Sequence, residues 1–130
     1  MTIENISQLQ RLATRYGEAW NGHDLDAIMS MHAQDTVYHL HGFGGPHRGW
    51  KAVHDIFASQ LATYQILSFD IRSLHCGDTH IVFETIITGS TLAGADLSFD
   101  AIDLLTIRNG LIVTKDSYVL QHQRGSIASE

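Results

Sequence analysis

The sequence predicts an α+β fold in which three N-terminal helices cover one face of a curved antiparallel sheet. Helical periodicity dominates the first half of the chain, whereas long runs rich in Ile, Val, Leu and Thr fill the second half. The 130 residues are 44% hydrophobic, which suits one domain spanning residues 1–130 with a substantial core. One sheet face is expected to pack on the helices and to leave a ligand cavity at its open end.

Three helices are predicted in the N-terminal half. Apolar residues recur at three- and four-residue steps from Ile6 to Trp20, which is typical of an amphipathic helix, and Asn21-Gly22 ends it. Asp24 is placed to cap a second, short helix over Leu25–Met31. Helical periodicity returns over Trp50–Ala62 after a glycine-rich loop.

The strands follow from runs of β-branched and aromatic residues bounded by turn residues. They are predicted at Thr36–Leu40, Gln65–Leu74, His80–Thr88 and, as a hairpin, within Ser98–Gln121. Asn109-Gly110 divides the hairpin, because both central positions of a type I′ turn need positive φ. The polar tail from Gln123 to Glu130 is expected to be loose.

The two-residue turn fixes a register that places Asp103 opposite Asp116. The same register sets Ala101 against Tyr118 and Phe99 against Leu120. Facing carboxylates on an apolar surface repel, so one of them is expected to have a raised pKa and to donate a hydrogen bond. Alternatively, a β-bulge shifts the register and turns one aspartate toward water.

Composition excludes several classes of function. The net charge is −6 and the eight Lys and Arg residues are scattered, so no nucleic-acid partner is expected. The single cysteine, Cys76, excludes an internal disulfide. The polar N-terminus does not resemble a signal peptide and no apolar run is long enough to span a membrane, so we expect a cytoplasmic protein. Glycine-rich nucleotide motifs are absent, and no cofactor is predicted.

Three segments resemble the nuclear transport factor 2-like superfamily, whose members include ketosteroid isomerases and SnoaL-like polyketide cyclases. They are RYGEAWNGHDLDAIMSMHAQDTVYH, PHRGWKAV and FDAIDLLTIRNGLIV. The resemblance extends from about Leu12 to Gln121 and implies a cone-shaped curved sheet on three helices. These motifs are specific for the fold and weak for any one reaction, because the fold hosts many functions.

The resemblance to ketosteroid isomerase implies part of a catalytic site. Tyr16 and Asp103 fall on the two oxyanion-hole positions of that family, whereas Leu40 occupies the position of its general base. Asp116 is the best substitute for the base, and Tyr118 is placed to donate to a substrate oxygen. His32 is expected to pack in the core or to hydrogen-bond Tyr16.

The expected cavity is lined mainly by apolar side chains. The substrate-binding candidates are Leu40, Tyr38, Phe57, Phe99, Leu120, Trp20 and His41. His41 is also an alternative base if it swings inward. The spacing of His39, His41 and His47 resembles a set of metal ligands, but no nearby carboxylate or cysteine is expected to complete it, so no metal is expected.

Two functions remain open at this point. The first is a cofactor-independent enzyme that performs acid–base chemistry on a small apolar ligand with a carbonyl or enol, as an isomerase, cyclase or dehydratase would. The second is a non-catalytic ligand-binding or dimerisation module, favoured by Leu40 and Leu120 at positions where relatives carry carboxylates. The sheet face away from the helices is expected to be apolar and to form a homodimer, through Ile102, Leu104, Val113 and Val119.

Overall fold

The computed structural model describes residues 3–122 and has the predicted α+β architecture. The helices are α1 (Ile3–Asn21), α2 (Leu25–Ser30) and α3 (Trp50–Thr63). The Asp24 side chain accepts a hydrogen bond from the Ala27 amide at 3.1 Å, so α2 has the predicted cap. The predicted loose tail lies outside the described residues.

Within residues 3–122, six strands form one sheet in the order β2-β1-β6-β5-β4-β3. Their bounds are β1 His32–Leu40, β2 His47–Arg48, β3 Tyr64–Cys76, β4 His80–Thr91, β5 Asp96–Arg108 and β6 Leu111–Gln121. All neighbours are antiparallel except β1 and β6, which run parallel. β1 begins at His32, earlier than predicted, and the short β2 inside the glycine-rich loop was not predicted.

The predicted register of the central hairpin is wrong beyond its turn. Asn109 and Gly110 have φ values of +53° and +77°, as a type I′ turn requires, and Ile107 pairs with Ile112 as expected. The register then shifts between Thr106 and Ile107, so that β6 contributes one extra residue. This is a β-bulge, the alternative that the sequence had left open.

The bulge reverses the orientation of the rest of β6. Asp103 lies opposite Ser117, and Asp116 lies opposite Leu104 on the other side of the sheet. The facing carboxylate pair is therefore not formed. The inner face of the sheet, toward the helices, carries Ala101, Asp103 and Leu105 of β5 with Lys115, Ser117 and Val119 of β6. The outer face carries Ile102 and Leu104 with Asp116, Tyr118 and Leu120. The prediction that Val119 belongs to this face is wrong, because Val119 lines the cavity.

The core fills the space between the helices and the inner face. It includes Ile28, Met29, Val53, Phe57, Ile81, Leu105 and Ile112, each no more than 1% exposed. Burial of these side chains supplies the main driving force for packing the helices on the sheet. No helix within residues 3–122 is long and apolar enough to cross a membrane.

Candidate functional site

A cavity of about 460 Å³ opens between α3 and the inner face of the sheet. Its walls are mainly apolar and include Trp20, Leu40, Phe69, Phe99 and Val119. The polar groups that reach it include Tyr38, Gln60, Asp103, Lys115 and Ser117. An apolar pocket with a few converging polar groups is the usual form of a small-molecule site.

Asp103 is the carboxylate of this cavity. It points inward from the middle of β5, and the Ser117 hydroxyl on the neighbouring strand donates a short hydrogen bond to its Oδ1. Ser117 is buried, so its hydroxyl fixes the carboxylate in one orientation without exposing it to bulk water. The bulge makes this contact, because it sets Ser117 rather than Asp116 against Asp103.

Lys115 is the second charged group of the cavity, and the sequence analysis missed it. Its side chain is buried, and its Nζ lies 4.5 to 5.6 Å from the ring centres of Trp20, Phe57, Tyr16 and Tyr38. Four aromatic faces at this range stabilise an ammonium by cation–π attraction. Burial lowers the pKa of Lys115, and the negative charge of Asp103 partly opposes that effect.

Among the described residues, neither the Asp103 carboxylate nor the Lys115 ammonium forms an ion pair. Within residues 3–122, no carboxylate oxygen lies within the 4.0 Å ion-pair distance of Lys115 Nζ. Across the two strands, Leu105 pairs with Lys115 and Asp103 pairs with Ser117. The two charged side chains are therefore diagonal neighbours on the inner face of the sheet. A ligand in the cavity can therefore meet an anionic oxygen and a cationic nitrogen side by side.

A buried chain of hydrogen bonds lies behind the cavity. The Tyr16 hydroxyl is 2.9 Å from His32 Nε2, and His32 Nδ1 is 2.8 Å from the Thr36 hydroxyl. Burial, with a further contribution from the charge of Lys115, lowers the pKa of His32 to about 3. The imidazole is thus neutral, with one donor and one acceptor nitrogen to serve its two neighbours. The prediction that His32 would hydrogen-bond Tyr16 is confirmed.

The two tyrosines near the cavity keep their protons. Burial raises the pKa of Tyr16 well above its usual value, and Tyr16 lines a small recess of about 40 Å³ together with Asp103 and Lys115. Burial also raises the pKa of Tyr38 to about 12, although the side-chain hydrogen bond from Gln60, at 3.0 Å, acts in the opposite direction. Both hydroxyls are therefore hydrogen-bond donors rather than bases at neutral pH.

Trp20 contributes a weakly used donor. Its indole Nε1 is buried and makes no well-aligned hydrogen bond among the described residues, although its contact with Tyr16 acts to lower the pKa of that phenol. Its ring forms part of the cavity wall. A buried unpaired donor is unfavourable by about 1 to 3 kcal/mol. A ligand acceptor placed near it would remove that penalty.

The structure separates the predicted site residues into two groups. Six line the cavity or the adjoining recess, namely Asp103, Tyr16, Leu40, Tyr38, Phe99 and Trp20. Phe57 is fully buried behind Trp20 and Tyr38, whose ring centres are each 4.9 Å from its own. Asp116, Tyr118 and Leu120 lie away from the cavity on the outer face, because the bulge turned this part of β6 around. His41, directly after β1, contacts Asp116 and Tyr118 on the same face.

The outer group includes a carboxylate beside two histidines, an arrangement that was not expected from the sequence. His41 Nε2 lies 2.8 Å from Asp116 Oδ1. The ring centres of His39 and His41 are 3.8 Å apart, with the ring planes tilted by 32°. The expectation that no carboxylate accompanies the two histidines is wrong, because parallel pairing of β1 with β6 sets His39 beside Asp116.

Comparison with known proteins places these observations in a family context. The SnoaL-like domain family matches residues 13–115 of the chain. No curated protein matches it.

Several solved structures share the fold at low sequence identity. A candidate SnoaL-like polyketide cyclase from Jannaschia sp. has a TM-score of 0.82 at 12% identity, covering 92% of this chain and 90% of that one. An LEH-like epoxide hydrolase from M. tuberculosis has a TM-score of 0.77 at 15% identity, covering 88% of this chain and 84% of that one. A hypothetical protein with a ketosteroid isomerase-like fold from Catenulispora acidiphila, bound to trimethylamine, has a TM-score of 0.75 at 19% identity, covering 91% and 89%. The expected nuclear transport factor 2-like fold is therefore confirmed.

Proposed function

The chain belongs to the SnoaL-like domain family, and on this premise we propose that it is a cofactor-independent acid–base enzyme. The substrate is a small, largely apolar carbonyl or enol compound, and the reaction is an isomerisation, cyclisation or elimination that passes through an enolate. The observation that carries the proposal is the side-by-side placement of Asp103 and Lys115 in an otherwise apolar cavity.

Asp103 is the proposed general base. Its carboxylate accepts a hydrogen bond from Ser117, and its charge acts on the ammonium of Lys115. It takes a proton from the carbon next to the substrate carbonyl, and the electron pair moves onto the carbonyl oxygen. This assigns Asp103 the opposite role to the neutral donor that its position implies by resemblance to ketosteroid isomerase.

Lys115 is the proposed electrophile. Its ammonium donates a hydrogen bond to the enolate oxygen as negative charge develops there, in a site that aromatic rings shield from water. In an isomerisation the proton held by Asp103 then returns to a different carbon. In a cyclisation the enolate carbon attacks a second carbonyl, and the proton of Asp103 passes to the new alkoxide oxygen. In an elimination the enolate expels a β-hydroxyl group, which takes the proton of Asp103 and leaves as water. Because the aromatic rings already surround the Lys115 cation, the preferred ligand is neutral or anionic.

Proton exchange tests this proposal without knowledge of the natural substrate. Enolisable probes such as β-tetralone and a β-diketone are incubated with the protein in heavy water, and loss of the proton next to the carbonyl is followed by NMR. Asp103→Asn and Lys115→Met are each expected to slow exchange by about 100-fold or more, the usual contribution of a positioned acid or base. Asp100→Asn removes an exposed carboxylate of the same strand and is the matched control.

A stability measurement separates catalysis from folding. Burial disfavours the Lys115 ammonium more than the charge of Asp103 favours it, so Lys115→Met should keep the protein folded while exchange is lost. Retention of full exchange by both cavity variants would overturn the assignment. Equal loss in Asp100→Asn would overturn it too.

A non-catalytic ligand-binding protein is the second candidate. Leu40 lines the cavity at the position where the resemblance implies a general base, which favours binding without turnover. Trp20 fluorescence reports ligand entry because its ring forms part of the wall. Binding of the probes without any proton exchange in the unmodified protein would support this candidate over the enzyme.

We also propose that the protein forms a homodimer through the outer face. Ile102, Tyr118 and Leu120 are 41%, 49% and 68% exposed there, and exposed apolar side chains that share one sheet face commonly mark a protein interface. A second copy of the chain would cover these side chains.

A further inference from the structure

His39, His41 and Asp116 form a compact cluster on the outer face, separate from the cavity. The potential ligand atoms of the three side chains all lie within 4.8 Å of one another. The next residues in the register, Leu40 and Ser117, face the cavity instead, so the cluster and Asp103 occupy opposite sides of the sheet. The proposed acid–base chemistry therefore does not use it.

The spacing of the cluster is close to that of ligands around one metal ion. Metal–nitrogen and metal–oxygen bonds of about 2.0 to 2.2 Å place neighbouring ligand atoms roughly 3 to 4 Å apart. His41 Nε2 and Asp116 Oδ1 are already 2.8 Å apart, and both side chains are about one-third exposed. Small side-chain rotations are therefore enough to admit an ion, and solvent can reach it.

The surroundings of the histidines orient both rings. His39 Nε2 lies 3.1 Å from the Gly44 carbonyl oxygen, which can only accept, so the proton of His39 is on Nε2 and its Nδ1 carries a lone pair. His41 stacks on Tyr118 with ring centres 4.3 Å apart and planes 8° from parallel. A backbone carbonyl that fixes the tautomer of a histidine is the usual support of a metal-binding imidazole.

We propose that His39, His41 and Asp116 bind a divalent first-row transition ion of the Zn²⁺ class. Two imidazole nitrogens select such ions over Mg²⁺ and Ca²⁺, which prefer all-oxygen sites. Three protein ligands leave at least one coordination position for water or a small anion. All three ligands come from one copy of the chain, so the site does not depend on dimer formation.

Titration calorimetry on the full, untagged chain tests the site. Zn²⁺ alone is expected to bind with one ion per chain and Mg²⁺ not to bind measurably. His39→Gln, His41→Gln and Asp116→Asn should each weaken Zn²⁺ binding by at least about tenfold, because each removes one of only three ligands. Co²⁺ offers a second readout, since its visible absorption reports nitrogen ligation directly.

The chain offers a matched control. His122 pairs with Asp100 at 3.0 Å, as His41 pairs with Asp116, but within residues 3–122 no second histidine joins that pair in a metal-sized cluster. His122→Gln should therefore leave Zn²⁺ affinity unchanged. Absence of stoichiometric Zn²⁺ binding by the unmodified chain would overturn the proposal. Binding that survives His39→Gln, or that His122→Gln abolishes equally, would overturn it as well.

Discussion

Lowering the pH should decrease the free energy of unfolding, and the structure gives the size of the contribution that His32 makes to this decrease. The imidazole is 4% exposed and its two nitrogens contact Tyr16 and Thr36, so the folded protein holds it neutral. Its pKa is about 3 in the folded state against an ordinary value of 6.5. Between these values the unfolded chain binds a proton that the folded protein does not, and stability falls as the pH falls.

The size of the effect follows from the linkage relation. A group that is protonated only in the unfolded state lowers the free energy of unfolding by about 1.4 kcal/mol per pH unit. The contribution of His32 is complete above pH 6.5 and is lost progressively toward pH 3. Down to about pH 4.5, an experimentally convenient limit, the expected loss is roughly 3 kcal/mol.

Urea unfolding at a series of pH values measures this loss. His32→Gln removes the titrating group, so its stability should depend on pH less steeply than that of the unmodified protein by about 1.4 kcal/mol per pH unit in this window. His54→Gln is the control, because His54 is one-third exposed beside Asp55. Parallel stability curves for the unmodified protein and His32→Gln would refute the reasoning. An NMR titration that shows His32 protonated in the folded protein above pH 5 would also refute it.

Two further predictions concern packing and assembly. Gly89→Ala should destabilise the protein by about 1 to 3 kcal/mol or prevent folding, because the added Cβ would lie 2.4 Å from the Ile66 carbonyl oxygen. Gly45→Ala is the control. Its added Cβ meets nothing within 4 Å, so this variant should unfold at the same urea concentration as the unmodified protein. Sedimentation at micromolar concentration should show a species of twice the 14.4 kDa chain mass. Leu120→Glu should dissociate this dimer. Leu92→Glu, which changes an exposed leucine in the turn between β4 and β5, should leave the dimer intact. A monomer in the unmodified protein would exclude the dimer.

The fold was predictable because its local signals agree with one another. Helical periodicity located α1 and α3, and the Asn109-Gly110 turn has the backbone angles that its residue types imply. The placement of His39 with the outer face and Tyr38 with the cavity followed from simple alternation along β1. Each of these inferences depends only on residues close together in the chain.

The register of β6 was not predictable from such signals. Residues 114–117 are Thr, Lys, Asp and Ser, so no apolar residue in this stretch marks which side faces the core. The hydrophobic pattern therefore does not indicate the bulge before residue 114. This bulge nevertheless causes Lys115 and Ser117 to face inward. The only available signal for Lys115 was its position as the one lysine of the hairpin.

The metal-ligand cluster was missed for a different reason. Its carboxylate comes from β6 and its histidines from β1, and only the parallel pairing of two strands far apart in sequence joins them. Spacing along the chain carries no information about such a contact.

The position of β6 has consequences for synthesis of the protein. β6 lies between β1 and β5, so the sheet stays divided until the last strand has emerged from the ribosome. Until then β1 has only the two-residue β2 as a partner, and β5 presents an unpaired edge. Open edges of this kind pair readily with other chains. Chains that terminate before residue 111 should therefore aggregate or be degraded, and they would also lack both Lys115 and Asp116.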